Sequence, residues 1–432
     1  MIRTIHFRWL GAAVLAACAA QPAAAGSFFI REQSAEALGQ AYAGVAAGNG
    51  GLSSMFWNPA TLTQKPGVWT SFVATGIFPT ADITAQPGTA PFLLPLGNAG
   101  NTAPSALLPA LYGSFQAGER LWFGLSVNAP YGLASKPNNP ASSQLYGLKS
   151  WMKSAEIAPS AAYKINDMVS IGASVRFLNL KLYQQTALAP FPGSPLLVMR
   201  SGAWGAGYRL GITVTPWSGT TLGLAYNSRI DVDTRGTMSF PIPLGPIPPG
   251  AYGIGLKIVT PESVNIGLRQ QITRDFAMSA TWEWTHWSQL KASAIVGSPI
   301  PGQIAPFFYR DGWMAALGGE YRWSDALTLR AGVSYEQSPI STRIREVRNP
   351  DTNRKSLTAG LTYRFTEKLS LDAAYSVSLP GHAKINILPG NPTFATAGVP
   401  FVGDVAGQLH LLSVGLNYRW DSARSAGVVA KY

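Results

Sequence analysis

The feature that most constrains this chain is a short polarity pattern, repeated about fourteen times. Apolar residues occupy one parity, and Gly, Ser, Thr and charges the other. In 326–336, Leu327, Leu329, Ala331, Val333 and Tyr335 share one face, while Thr328, Arg330, Gly332, Ser334 and Glu336 share the opposite one. A period of two is a strand. One such strand fits any soluble sandwich. Many in succession, with charge confined to the Gly-containing face, imply a closed barrel whose apolar face meets lipid.

Composition agrees. Only 12% of the 432 residues are charged, while 45 are Gly and 16 are Tyr. That is poor in charge for a soluble surface and suits a wall set in hydrocarbon. Beyond the N-terminus no run of 18 apolar, uncharged residues occurs, which excludes a helical membrane protein. The 47% hydrophobic content argues against disorder.

Residues 1–25 read as an export signal: Arg3 and Arg8, the apolar stretch 9–17, then Ala23-Ala24-Ala25 before Gly26. Its removal takes two arginines and no acid, so the formal charge falls from +12 to +10. With no Lys/Arg cluster or nucleic-acid motif, this charge is assigned to arginines inside the barrel and lysines in loops, and no nucleic-acid partner is expected. Cys18, the single cysteine, follows Leu15-Ala16-Ala17, which also resembles a lipoprotein cleavage box. Ordinary cleavage near Ala25 leaves no thiol chemistry to the mature chain.

Strand candidates run over 67–78, 108–117, 120–130, 151–164, 168–185, 202–216, 220–235, 255–272, 275–288, 313–323, 326–338, 355–366, 368–380 and 408–420. That even count lets both termini lie on one side. QAGE, KIND, PWSG, TRD, WSD and TEK read as tight periplasmic turns, and the longer connections, about 15–30 residues, as outer loops. Tyr163, Trp217, Tyr321, Trp323, Tyr363, Phe365, Tyr418 and Trp420 end the descending strands, and Trp282, Trp284 and Trp287 lie near the top of an ascending one. Two interfacial girdles are implied.

By parity the lumen carries Glu156, Arg176, Arg209, Arg229, Arg269, Glu283, Glu320, Arg322, Arg330, Glu336, Arg364, Asp372 and Arg419. Both signs are present, so most should pair as a structural lattice. Residues 26–66 do not alternate. They read as a short amphipathic helix, a Gly-rich loop and a tight Asn58-Pro59-Ala60 turn, with Phe28, Phe29, Leu38, Tyr42, Phe56 and Trp57 needing burial. A fourteen-stranded lumen is too wide for its own side chains to fill, so this segment is expected to plug it.

The outer loops 187–199, 240–256, 295–309 and 385–403 are rich in Pro and apolar residues. Apolar surface held in water marks binding, here a groove collecting hydrophobic molecules. The alternative is loops packing on one another as a lid. Asn128-Ala129-Pro130-Tyr131-Gly132 interrupts the third strand near its top, where Pro and Gly weaken the ladder. Catalysis finds little support: His6, His286, His382 and His410 lack metal-ligand spacing, and no GxSxG, HExxH or P-loop is present. No enzyme, catalytic residue, metal or cofactor is expected.

Four stretches in this order resemble the FadL-type long-chain fatty-acid transporters of the Gram-negative outer membrane. They are AGSFFIREQSAEALGQAYAG with FWNPATL; EIAPSAAYKINDMVSIGASVRF; WEWTHWSQL; and DGWMAALGGEYRWSDALTLRAGVSYEQSPI. The resemblance implies an all-β fold, a 14-stranded antiparallel transmembrane β-barrel with an N-terminal hatch inside the lumen. It implies a signal over 1–25, a hatch over 26–66 whose motif is Asn58, Pro59 and Ala60, a barrel over 67–420 and a tail over 421–432. It also implies that Asn128, Pro130 and Gly132 form a lateral gate. The tail DSARSAGVVAKY departs from the family, whose barrels usually end at the last strand's aromatic residue.

The resulting expectation is passive uptake of long-chain fatty acids across the outer membrane, with the N-terminus on the periplasmic side. Apolar loops capture the ligand, a pocket near Phe28 and Phe29 holds it, and it leaves sideways into lipid. A carboxylate in an apolar pocket needs a cation; Arg176, Arg229 and Arg269, lumen-facing by parity, are the candidates. Alternatives are a hydrocarbon transporter of the same fold, carrying aromatics or alkanes, or a general porin. Besides the ligand, outer-membrane lipid, lipopolysaccharide and the barrel-assembly machinery are the expected partners of a monomeric chain.

Overall fold

The computed structural model describes residues 27–421; the signal, Cys18 and the tail beyond Asp421 lie outside the described residues. Fourteen membrane strands follow one another, each antiparallel to the next. They are β1 (Val68–Pro79), β2 (Ala106–Gln116), β3 (Leu121–Asn128 and Gly132–Ser135), β4 (Lys149–Lys164), β5 (Val169–Ala187), β6 (Leu196–Val214) and β7 (Thr220–Asn227 and Ile230–Phe240). Then come β8 (Gly250–Thr260 and Ser263–Gln271), β9 (Phe276–Thr285), β10 (Gly312–Arg322), β11 (Leu327–Gln337), β12 (Arg354–Arg364), β13 (Leu369–Pro380) and β14 (Leu409–Arg419). β14 pairs back onto β1 from Trp69↔Arg419 to Pro79↔Leu409, so the sheet closes on itself. The sequence expectation of a closed fourteen-stranded barrel holds.

One rim is formed by the six short turns. Here Trp217, Trp323, Phe365 and Trp420 stand exposed, with edge-on pairs at Tyr321–Trp323, Tyr363–Phe365 and Tyr418–Trp420. The other rim differs from the expected girdle at one point. Trp287 is 3% exposed, turned inward against Phe28 at a ring distance of 4.6 Å.

Two of the expected loops are partly strand, leaving 188–195 and 241–249 as the connections. β5 and β6 run 19 residues each, and upper β7 and β8 extend as a second tall hairpin. Between Asn227↔Arg209 and Arg235↔Gly202, β7 advances eight residues against seven of β6. The extra residue is a bulge, and a one-residue slip exchanges the two faces. Below it Leu222 and Leu224 face lipid; above it Ile230, Val232 and Met238 are buried, with Asp233 and Arg235 exposed. The arms therefore stand above the hydrocarbon, dry inside and charged outside.

The apolar residues of the outer loops mostly bury one another, as the lid alternative anticipated. One cluster joins Phe240, Ile254, Ile295, Tyr309 and Ile344 to Phe28 and Tyr131. A second gathers Leu93, Ile385, Ile387 and Phe401 on a four-stranded sheet of Asp82–Ala85, Gly100–Asn101, Ala383–Ile387 and Phe401–Ala406. Phe92, Phe191, Val296 and Phe308 remain exposed above them.

Residues 27–64 lie inside the barrel, almost wholly buried. They form a single helical turn, α1 (Ala35–Leu38), whose Ser34 Oγ accepts from Ala37 N at 3.1 Å, and three 3-10 turns, Val45–Ala47, Gly51–Phe56 and Pro59–Gln64. The lumenal glycines of the wall explain the fit. A methyl group on Gly172, Gly211, Gly223, Gly267, Gly332 or Gly360 would overlap Ala60, Asn58, Ala46, Ala47, Gln40 or Gly39 of the inner segment. Strand glycine costs stability unless another chain must approach closely. Here, strands all round the wall leave that room.

Candidate ligand pocket and wall gap

Asn58 ties the inner segment to the wall. It caps the last 3-10 turn through Ala60 N, and its Nδ2 donates to Ala46 O at 2.7 Å and to Ile212 O of β6 at 3.0 Å. Pro59 occupies the first helical position, where the missing N–H is not needed. Arg31 supplies a second tie, binding Glu283 of β9 and Glu336 of β11; Arg330 of β11 reaches back to Glu36 at 3.0 Å.

The wall is incomplete beside β3. β2 and β3 pair only from Leu111↔Val127 to Gln116↔Trp122, which leaves residues 106–110 of β2 without a β3 partner. Along β4 the register passes from Asn128↔Glu156 to Gly132↔Lys153, four residues of β3 against three, with the extra one beside Pro130. The broken edge is held from inside. Ile30 N donates to Pro130 O and Gly132 N to Phe28 O, both at 2.8 Å, so Phe28–Ile30 serves as a substitute strand. Asn128 points into the lumen and donates to Tyr112 Oη at 2.8 Å, while Gln33 Nε2 donates to Ala129 O at 3.0 Å. The NAPYG stretch falls at this break in the ladder, whose inner side is occupied by Phe28–Ile30.

Behind this gap sits a cavity of about 20 Å³, lined by Phe29, Phe56, Trp57, Tyr131, Arg176 and Arg209 among others. As it stands it has room for about one water molecule. Glu156, fully buried, accepts from Arg176 Nε at 2.9 Å and from Arg209 Nη2 at 3.3 Å. Arg209 lies 5.1 Å over the Phe56 ring, and its Nη1 is buried without a partner. Two guanidinium groups share one carboxylate, leaving one positive charge in excess. The neighbouring cluster of Arg31, Arg354, Glu283 and Glu336 balances. A buried charge without compensation is costly, and an anion at Arg209 would remove the cost.

Of the sequence candidates, the structure brings Phe29 and Arg176 together at this cavity. Phe28 packs behind them on Tyr131, Trp287 and Tyr309. Arg229 is a correction. The bulge at its position turns it out of the lumen, where it is exposed and lies 3.6 Å from Asp231. Arg269 faces the lumen but sits in the turn-side half of β8, ion-paired to Glu320. Arg209 was overlooked as a ligand cation although parity placed it inside; nothing in its strand marks it as the member of the triad whose Nη1 has no partner.

Replacing Glu156 by Gln should leave both arginines uncompensated. We expect the barrel to lose about 3–5 kcal/mol, read as a lowered midpoint in urea unfolding into lipid or detergent.

The family model for outer membrane protein transport proteins (OMPP1/FadL/TodX) matches residues 16–420. The chain belongs to this family. It is 28% identical to the 47 kDa outer membrane protein of Pasteurella multocida, over 97% of this chain and 100% of that one. It is 27% identical to the long-chain fatty acid transport protein of Salmonella typhi, over 87% and 92%. In fold it matches a Pseudomonas aeruginosa FadL homologue with a TM-score of 0.82 at 21% identity, covering 91% of this chain and all of that one. The Ralstonia pickettii toluene transporter TbuX matches at 0.66 and 20%, covering 90% and 100%. As a member of the FadL/TodX family the chain is an outer-membrane transport protein of Gram-negative type, not an enzyme.

Proposed function

We propose that this FadL/TodX-family member admits long-chain fatty acids passively and releases them sideways through the gap beside β3. The observation that carries the reading is the buried, unpartnered Nη1 of Arg209 among Phe29, Phe56 and Trp57. Rings take the chain and the surplus cation takes the carboxylate. The long-chain fatty acid transport proteins among the relatives support this choice, and the toluene transporters among the fold neighbours support a neutral hydrocarbon instead. The cavity must widen to take either. Phe28–Ile30 is the segment to move, because it both lines the pocket and fills the inner side of the gap. Ligand entry and gate opening then become one event. Exit into lipid follows from the cargo, since each buried methylene gains about 0.8 kcal/mol over water.

Oleic acid and its methyl ester, bound to the purified barrel, test the assignment. Arg209→Gln should weaken the acid about tenfold or more and leave the ester unchanged; a charged hydrogen bond is worth about 1.5–3 kcal/mol. Arg176→Gln should weaken both through loss of the triad. Equal ester and acid binding by the wild type would instead favour the hydrocarbon reading.

A further inference from the structure

The outer faces of β4–β7 carry a feature that uptake does not use. Above the lipid-facing Ile157 and Phe177, these strands present Lys149, Lys153, Lys181, Arg200 and Arg235, and among the described residues none has a carboxylate partner within salt-bridge distance. Lys153 and Lys181 are directly opposed across the β4–β5 ladder. Like charges in that position destabilise a sheet. One row higher, Trp151 and Tyr183 stack at 5.4 Å and 8°. Lys153 lies over Trp151 at 5.1 Å; Arg200 and Lys149 lie over Tyr183 at 5.3 and 5.8 Å. The aromatic pair holds the cations in a cluster instead of letting them spread. The acids of the same outward face, Asp231 and Asp233, are on β7, and Asp231 is already engaged by Lys257 at 2.8 Å and by Arg229.

We propose that this cluster is a binding site for the phosphorylated disaccharide headgroup of the outer-leaflet glycolipid, lipid A. The charged row stands four residues above Ile157 and Phe177, about 13 Å along the strands. Acyl chains can lie on Ile157, Phe177, Val175 and Trp204, all exposed, while the phosphates reach Lys153, Lys181 and Arg200. A soluble anion would need the cations but not the apolar strip beneath them. On the opposite side of the barrel the exposed residues near this height are Leu379, Tyr375 and Phe78 with the single cation Lys355 beside Leu379, so the cluster of cations is confined to one flank. Bound there, the glycolipid offsets the Lys153–Lys181 repulsion and fixes the tall β4–β7 arms against the membrane.

The test uses the full-length barrel in detergent with three probes: lipid A bearing both phosphates, the same lipid dephosphorylated, and inorganic phosphate. Binding is read by native mass spectrometry and by thermophoresis. The wild type should bind bisphosphorylated lipid A at least tenfold more tightly than the dephosphorylated form, and millimolar phosphate should not compete. Lys153→Gln with Lys181→Gln and Arg200→Gln should erase that preference. Replacing Lys291, Lys355 and Lys384 by Gln, which removes the same charge elsewhere, should not. All five cations are exposed or half-exposed, so the variants should fold, and gel mobility before and after heating checks it. Trp151→Leu with Tyr183→Leu, which keeps every charge, should weaken binding several-fold. The proposal is overturned by equal binding of the two lipids, by full competition from phosphate, or by equal loss in the two triple variants.

Discussion

Deleting residues 27–60 from the mature chain should turn a nearly non-conducting barrel into one that passes ions freely. The reasoning is geometric. A fourteen-stranded wall encloses a space its own side chains do not fill, and here that space holds Met55, Phe56, Trp57, Leu38 and Tyr42, all buried. Without them, Glu283 and Glu336 lose Arg31, and a wet, charged lumen remains. Conductance in planar bilayers is the readout. Because the deletion also removes the ties across the wall, a subtler variant belongs beside it. Gly211→Val with Gly223→Val keeps every residue of the inner segment but places side chains where the Asn58 side chain and the Ala46 backbone now lie. Both variants should conduct, the second more variably as the displaced segment fluctuates. A folded deletion variant with unchanged, near-zero conductance would mean that 27–60 is not the plug.

The barrel was legible because lipid imposes a strict rule. Every membrane-facing side chain must be apolar and every second residue faces lipid, so β10–β14 stand in the sequence almost as they do in space. The inner segment was legible for the opposite reason, since it breaks the alternation while still carrying large apolar residues. The upper half of β7 was not. Leu222, Leu224 and Tyr226 face lipid, Ile230 and Val232 face inward, and yet all five have even numbers. The bulge exchanges the faces at the height where the surroundings change from hydrocarbon to water, and the two reversals cancel in the written pattern. Arg229 was assigned to the lumen for that reason. Arg209 shows a different limit. Parity gives the side a residue faces, whereas the missing partner of its Nη1 depends on the geometry of Glu156 and Arg176 on two other strands.

Closing the gap beside β3 should abolish uptake while sparing surface capture. Removing Pro130 is the direct way. With one residue fewer, the register that runs through Asn128↔Glu156 would continue unbroken to Gly132↔Lys153. Changing Gly132 to Val then favours extended backbone and restores packing to the repaired strand. The Pro130 C=O that holds Ile30 would be gone, and the N–H of residue 132 that now meets Phe28 would be free to turn into the wall, where residues 106–110 of β2 await partners. Three further hydrogen-bonded pairs, each worth about 0.5–1.5 kcal/mol, would oppose reopening. A fatty acid could still settle on the outer loops but would meet a continuous wall. Transport of radiolabelled oleate by cells should fall to the level of a strain lacking the barrel, with detergent-phase binding by the loops retained. Hydrogen exchange at 106–110 reports whether the ladder has formed. Normal uptake with those amides protected would rule out lateral exit and send the cargo down through the lumen instead.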